Sequence, residues 1–345
     1  MASPRARSSG AALLALIVLA AACSSTDSID GRGENGASEV VAEFGSYDRA
    51  TDRPQRVLVG LLASDEGQVA YGTVTFRFVY RGTRKDPVEN GRPGPPIEAS
   101  YRPLPNVGNP RQQSRPTVVA ATETRGVYGA EGIRFDRPGF WSVLVTGAVD
   151  GESFETESSF EVNAQPQVPA EDEPAPRTDN TTLATADVPP HAIDSRAHNG
   201  PIPDPELHQT SVAAALAASR PVMVVVSTPL FCQSRFCGPI TDEIQELAAE
   251  YGDRVAFVHL EVWQDHEEQI VNRAAAQWAV PRGGADRDLR EPWIFTVAPD
   301  GTIVERFDNL ATTEELRAAT ERLIAVVPGG AGRPRDGLLL QSVVV

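Results

Sequence analysis

The sequence predicts two domains of different class: an N-terminal all-β sandwich over residues 39–163 and a C-terminal α/β domain over residues 206–328. Three observations carry this prediction. Between Val40 and Val162, short runs rich in Val, Phe, Tyr and Thr alternate apolar with polar residues, the pattern of half-buried strands. Beyond Glu206, continuous apolar runs alternate with amphipathic ones, which predicts strands and helices in turn. Between them, residues 164–205 are Pro-rich and acidic, and read as a solvated linker. A chain of 345 residues is also long for one domain.

The N-terminus comes first. Arg5 and Arg7 precede the apolar run Ala11–Ala20, which ends in small residues, so residues 1–22 read as a secretory signal peptide. The run falls short of the about 20 apolar residues a spanning helix needs. The segment "LAAAC" resembles a bacterial lipobox, with Ala20 where that motif prefers Leu. The resemblance implies that Cys23 is lipidated and anchors the chain to a membrane. An ordinary signal peptide with a chance cysteine is the alternative. Residues 23–38 are polar and Gly/Ser-rich, a flexible tether.

The β segments follow: Arg56–Ala63, Val69–Tyr80, Thr117–Ala121, Val127–Phe135, Gly139–Val149 and Ser153–Val162. Six or seven short strands with turns between them predict two packed sheets. "DRPGFWSVLVTG" resembles the turn and late strand of immunoglobulin-like modules, which implies an architecture and no site. Asp86–Pro116 is Pro/Gly-rich and reads as a long loop.

In the C-terminal half, Ser211 can cap a helix through Ser219, and Pro221–Ser227 reads as a central buried strand. Ile240, Ile244, Leu247 and Ala248 share one face of a helix that Gly252 ends. Arg254–Trp263 reads as a second buried strand and His266–Trp278 as a second helix. The segments 293–299 and 301–307 form a hairpin about Pro299-Asp300-Gly301, and a last helix is capped at Thr312 or Thr313. Residues 329–345 are a tail that begins in Gly and Pro and ends apolar.

Charge limits the partners. With 47 acidic against 31 basic residues and a formal charge of −16, the chain lacks the basic surface that nucleic acid requires. No cofactor is implied. Export implies a compartment where disulfides persist.

The chemistry centres on "TPLFCQSRFCGP", Thr228–Pro239, where two of three cysteines lie between a buried strand and a helix start. A thiol there has its thiolate stabilised by unpaired N–H groups and the helix dipole, and Arg235 adds a cation. Four intervening residues can bring the Cα atoms within the roughly 4.4–6.8 Å a disulfide requires.

The order of elements, Cys232 after the strand, Pro239 with "ITDEI", and Pro292 before "WIFTV" resemble the thioredoxin fold. That resemblance implies attack by Cys232, resolution by Cys237 and a cis Pro292 shaping the substrate edge. It also implies clients among the thiols or disulfides of exported proteins. Two departures stand out: the cysteines are separated by four residues rather than two, and Val226 occupies the position of the family's buried acid. Three readings stay open. They are thiol–disulfide exchange, a non-catalytic binding or scaffold lipoprotein with a structural disulfide, and a metal-handling protein. The last is weakly supported, because His259 reads as a core histidine and His191, His198 and His208 as exposed residues in or near the linker. His266 reads as part of an acidic helix start with Asp265, Glu267 and Glu268, and no metal ligand is assigned.

Overall fold

The computed structural model describes residues 40–51, 53–63, 67–108, 113–120, 122–197, 200–325 and 343–345. The signal peptide, the tether, Cys23, His198 and most of the tail lie outside the described residues. The described chain is mostly β, with four α-helices.

The N-terminal part is all β. Its strands are β1 (Val40–Phe44), β2 (Gln55–Ala63), β3 (Gly67–Ala70), β4 (Thr73–Gly82), β5 (Ile97–Pro103), β6 (Thr117–Ala120), β7 (Gly126–Arg134), β8 (Gly139–Val149) and β9 (Glu152–Val162). The hydrogen-bonded path is continuous, β6-β3-β2-β7-β5-β4-β8-β9, with β1 on β2. The expectation of two separate sheets is corrected here. The physical reason lies in β5: Ile97–Ser100 pairs with β4 while Ser100–Pro103 pairs with β7, so one strand turns the corner between two layers. That strand lies inside the stretch read as a loop, where Ala99 is fully buried. Between the layers Phe78, Phe135, Trp141 and Phe160 pack edge to face.

The C-terminal part contains α1 (Val212–Ala217), β10 (Val222–Ser227), α2 (Cys237–Tyr251), β11 (Ala256–Glu261), β12 (Trp263–Asp265), β13 (Ile270–Val271), α3 (Arg273–Ala279), β14 (Trp293–Val297), β15 (Ile303–Asp308) and α4 (Thr313–Ala325). Its main sheet has the order β11-β10-β14-β15, parallel between β10 and β11 and antiparallel elsewhere. All six residues of β10 are buried, as a strand covered on both faces requires. Ser211 caps α1 by accepting the Ala214 N–H at 3.2 Å. Thr312 and Glu315 form a reciprocal capping box at the start of α4.

The expected helix over 266–278 is half a helix. Asn272 accepts the Ala274 N–H at 2.9 Å and starts α3, while the β-branched pair Ile270–Val271 joins β12 in a small hairpin. Asp265 therefore ends β12, and Glu267 and Glu268 belong to the turn after it and not to a helix start.

The stretch 164–205 is not a solvated linker. Val168 and Ala175 join the core beneath β10 and β14. Asp172 donates its N–H to the Ile303 carbonyl at 3.0 Å and Ala175 donates to the Gly301 carbonyl at 2.8 Å, so residues 172–175 run along β15. Thr178 receives the Trp278 indole N–H at 2.8 Å. Prolines preset much of its extended path, which lowers the entropy lost on docking.

The two parts also share a core. Leu58, Leu104 and Val127 pack with Ile240, Leu310 and Leu316. Asp48 accepts a 2.8 Å bond from Arg306, both side chains nearly sealed from solvent. At the C-terminus β16 (Val343–Val344) runs parallel to β7, so the end of the tail adds to the β sheet.

Candidate functional site

The buried strand β10 delivers the chain to the loop 228–236, which turns at Arg235 with φ +62° and enters α2 at Cys237. Cys232 and Cys237 are disulfide-bonded with Cα atoms 5.9 Å apart. The sulfurs are not equivalent. Cys237 is fully buried in the first turn of α2, whereas Cys232 is only partly buried. Cys232 Sγ accepts the Cys237 backbone N–H and the Ser234 hydroxyl, each at 3.3 Å. On reduction these donors and the helix dipole stabilise negative charge on Cys232.

The loop before β14 supplies the facing wall. The Glu291–Pro292 peptide is cis. A carboxylate oxygen of Glu291 and both sulfurs lie within 4.8 Å of one another. Burial pushes the Glu291 carboxyl up to about 7, against the Gln233 backbone N–H and the Arg290 charge, which favour the carboxylate.

The β part roofs this wall. Tyr47, between β1 and β2, places its hydroxyl 2.7 Å from the Glu291 carbonyl oxygen and 2.8 Å from Asn309 Oδ1, and its one proton serves either acceptor. Burial first, then the Asp308 and Glu291 charges, raise this phenol and keep it protonated. Asn309 in turn donates to the Gly45 carbonyl at 3.0 Å. Between roof and floor lies a cleft of about 950 Å³, lined on one side by Phe44, Leu61 and Gln68 and on the other by Phe231, Arg235 and Trp263. His266 also lines it, stacked on Phe231 with ring centroids 3.7 Å apart.

Of the residues singled out in the sequence, Cys232 and Cys237 are brought together, and Pro292 follows the carboxyl that faces them. Val226 is fully buried with no acid in its place. Two carboxyls were not foreseen, Glu291, which is half-buried, and Glu261, which is buried. Glu291 was legible only as the neighbour of Pro292, which the resemblance already set against the cysteines. Glu261, at the end of β11, accepts the Ser195 N–H at 2.8 Å and the Trp263 N–H at 3.2 Å. Burial still lifts it to about 7.

Among the described residues, two groups have the donor types a metal ion takes. Cys232, Cys237 and Glu291 form one, with the sulfurs joined to each other. Asp194, Asp204, His208 and His259 form the other, all buried. His208 is therefore in the interior, not exposed as expected. His259 sits in the core as expected, its Nε2 3.2 Å from the Ser227 carbonyl. Arg196 reaches both carboxylates, at 2.7 and 2.8 Å, and so holds the position of positive charge in this cluster. Burial raises Asp194, but Arg196 and His259 outweigh it and bring it down to about 2. The arrangement is a charge-compensated network that fastens Asp194, Arg196, Asp204 and His208 against His259 of β11. No helix among the described residues is long and apolar enough to cross a membrane.

Compared with known proteins, the chain matches no family model and no curated protein sequence.

Proposed function

We propose that the C-terminal half is a thioredoxin-like domain and that the chain carries out thiol–disulfide exchange through Cys232 and Cys237. The sheet order β11-β10-β14-β15, with α2 leaving the cysteine loop and Glu291, just before Pro292 and β14, facing it, supports the fold reading. The observation that carries the activity is the asymmetry of the pair. Cys232 is partly open, accepts from two hydrogen-bond donors and stands between Phe231 and Gln233, which line the cleft, while Cys237 is sealed in α2. This is the division between an attacking and a resolving thiol. Pro292 shapes the wall against which a substrate lies, and the β part, read as immunoglobulin-like, narrows the approach. The proposed setting is the outer face of a membrane, reached by the signal at residues 1–22 and held through Cys23, with exported thiols or disulfides as clients.

One observation favours the second reading, a scaffold with a structural disulfide: Cys237 has no exposed surface. A trapping experiment separates the two. Cys237→Ala leaves Cys232 without its resolving partner, so incubation with glutathione disulfide is expected to yield a stable adduct at Cys232. Absence of the adduct under native conditions, with adduct formed only after unfolding, supports the scaffold instead.

A further inference from the structure

The exchange reading leaves the second thiol without an evident proton acceptor, since Val226 carries none and Cys237 is sealed from solvent. We infer that Glu291 is the proton-transfer residue of the cysteine pair, taking the proton of Cys237 and returning it to the departing thiol. This rests on the exchange reading and adds a residue and a pH dependence to it.

The geometry carries the assignment. A Glu291 oxygen lies within 4.8 Å of both sulfurs, a span that one water or a small side-chain rotation closes. The carboxyl is held from two sides: the Gln233 N–H binds it from the cysteine loop, and Tyr47 binds the residue's carbonyl from the β part. Glu261 is the other carboxyl raised to about 7, but its oxygens are engaged by Ser195 and Trp263. A carboxyl that titrates near 7 passes a proton in either direction at neutral pH.

The chemistry balances as follows. Cys232 thiolate attacks a disulfide RS–SR′, the Cys232–SR bond forms, and R′S⁻ leaves and takes a proton from water. Cys237–SH then gives its proton to the Glu291 carboxylate and attacks the Cys232 sulfur. The Cys232–Cys237 bond forms, RS⁻ leaves, and Glu291 protonates it. Two electrons pass from the cysteine pair to the substrate, which leaves as RSH and R′SH. The reverse sequence oxidises a dithiol.

Other charged groups frame this carboxyl and set its field. Arg290 lies beside it in sequence; Tyr47 and Asp308 lie behind it; Arg235 and His266 border the cleft on the α/β side, and Glu43 and Arg125 on the β side. The response of the rate to pH therefore needs a variant to assign it.

The test uses the full chain and glutathione disulfide. Reduced protein is mixed with the disulfide, and closure of the Cys232–Cys237 bond from the glutathione adduct is timed between about pH 5 and 9. The wild type is expected to show an inflection near 7, in line with the raised carboxyl. Glu291→Gln is expected to lose that inflection and close about 100-fold more slowly at pH 7. Adduct formation at Cys232 should persist in the variant. Should the variant fold poorly, a wild-type curve governed only by thiol ionisation above about pH 8 still overturns the assignment. Closure with unchanged rate and profile in Glu291→Gln overturns the role of Glu291 and leaves exchange standing. A wild type that forms no adduct at all overturns exchange, and this assignment with it.

Discussion

At the scale of single residues, the site is defined by where charge is hidden. Glu261 and Glu291 are both raised to about 7 by burial, from an ordinary value of 4.5. The folded state thus holds these protons more tightly than the unfolded chain. The unfolded state loses them near pH 4.5 and the folded state only near 7, so stability is greatest below the lower value and falls as pH rises between the two. At about 1.4 kcal/mol per unit, each group contributes on the order of 3 kcal/mol to that loss. The urea midpoint is therefore expected to drop between about pH 5 and 8, and Glu291→Gln to flatten part of the slope. A midpoint constant across that range contradicts the burial of charge described for these two residues. Cys232, Cys237 and Pro292 could be singled out in the sequence because strand, helix start and proline are local patterns. Glu291 could not, because its surroundings are completed by Tyr47, far away in the chain, whose hydroxyl binds its carbonyl oxygen.

At the scale of elements, the legible parts were those whose pattern is uniform. The apolar run of β10, the amphipathic face of α2 and the capping box of α4 each lie where their residues predict. The parts that were missed depend on partners. Strand β5 is hidden in a Pro/Gly-rich stretch, and only its pairing with both β4 and β7 gives it a structural role. The α3 helix begins late because Asn272 caps it from inside the apolar pattern. The corner at β5 supplies a direct check. A Cβ added at Gly126 would stand 2.2 Å from the Arg102 carbonyl oxygen, a contact with backbone that no rotamer relieves. Gly126→Ala is expected to cost about 3 kcal/mol in a denaturant titration, at the upper end of overpacking effects. A loss below about 0.5 kcal/mol would mean that β5 and β7 are not paired at this position.

At the scale of the whole molecule, the β part and the α/β part meet beside the cysteine loop. Tyr47 and Asn309 tie the roof to the proline loop, Asp48 and Arg306 form a sealed ion pair, and residues 172–175 lie along β15. The sequence predicted a linker there because prolines and acids dominate it. Its anchoring residues, Val168, Ala170 and Ala175, are too small and scattered to form a periodic pattern. Packed in this way, residues 164–197 should resist limited proteolysis under native conditions for as long as the rest of the fold. Early cleavage among them would restore the linker. The central claim is that the cysteine loop beside this shared cleft holds a working thiol pair, and its equilibrium with a redox buffer tests that claim most directly. Titration of the full chain against reduced and oxidised glutathione is predicted to show Cys232 and Cys237 exchanging reversibly, with a potential above about −300 mV. A pair that stays oxidised throughout, with a potential below that value and no glutathione adduct at Cys232, would contradict the account.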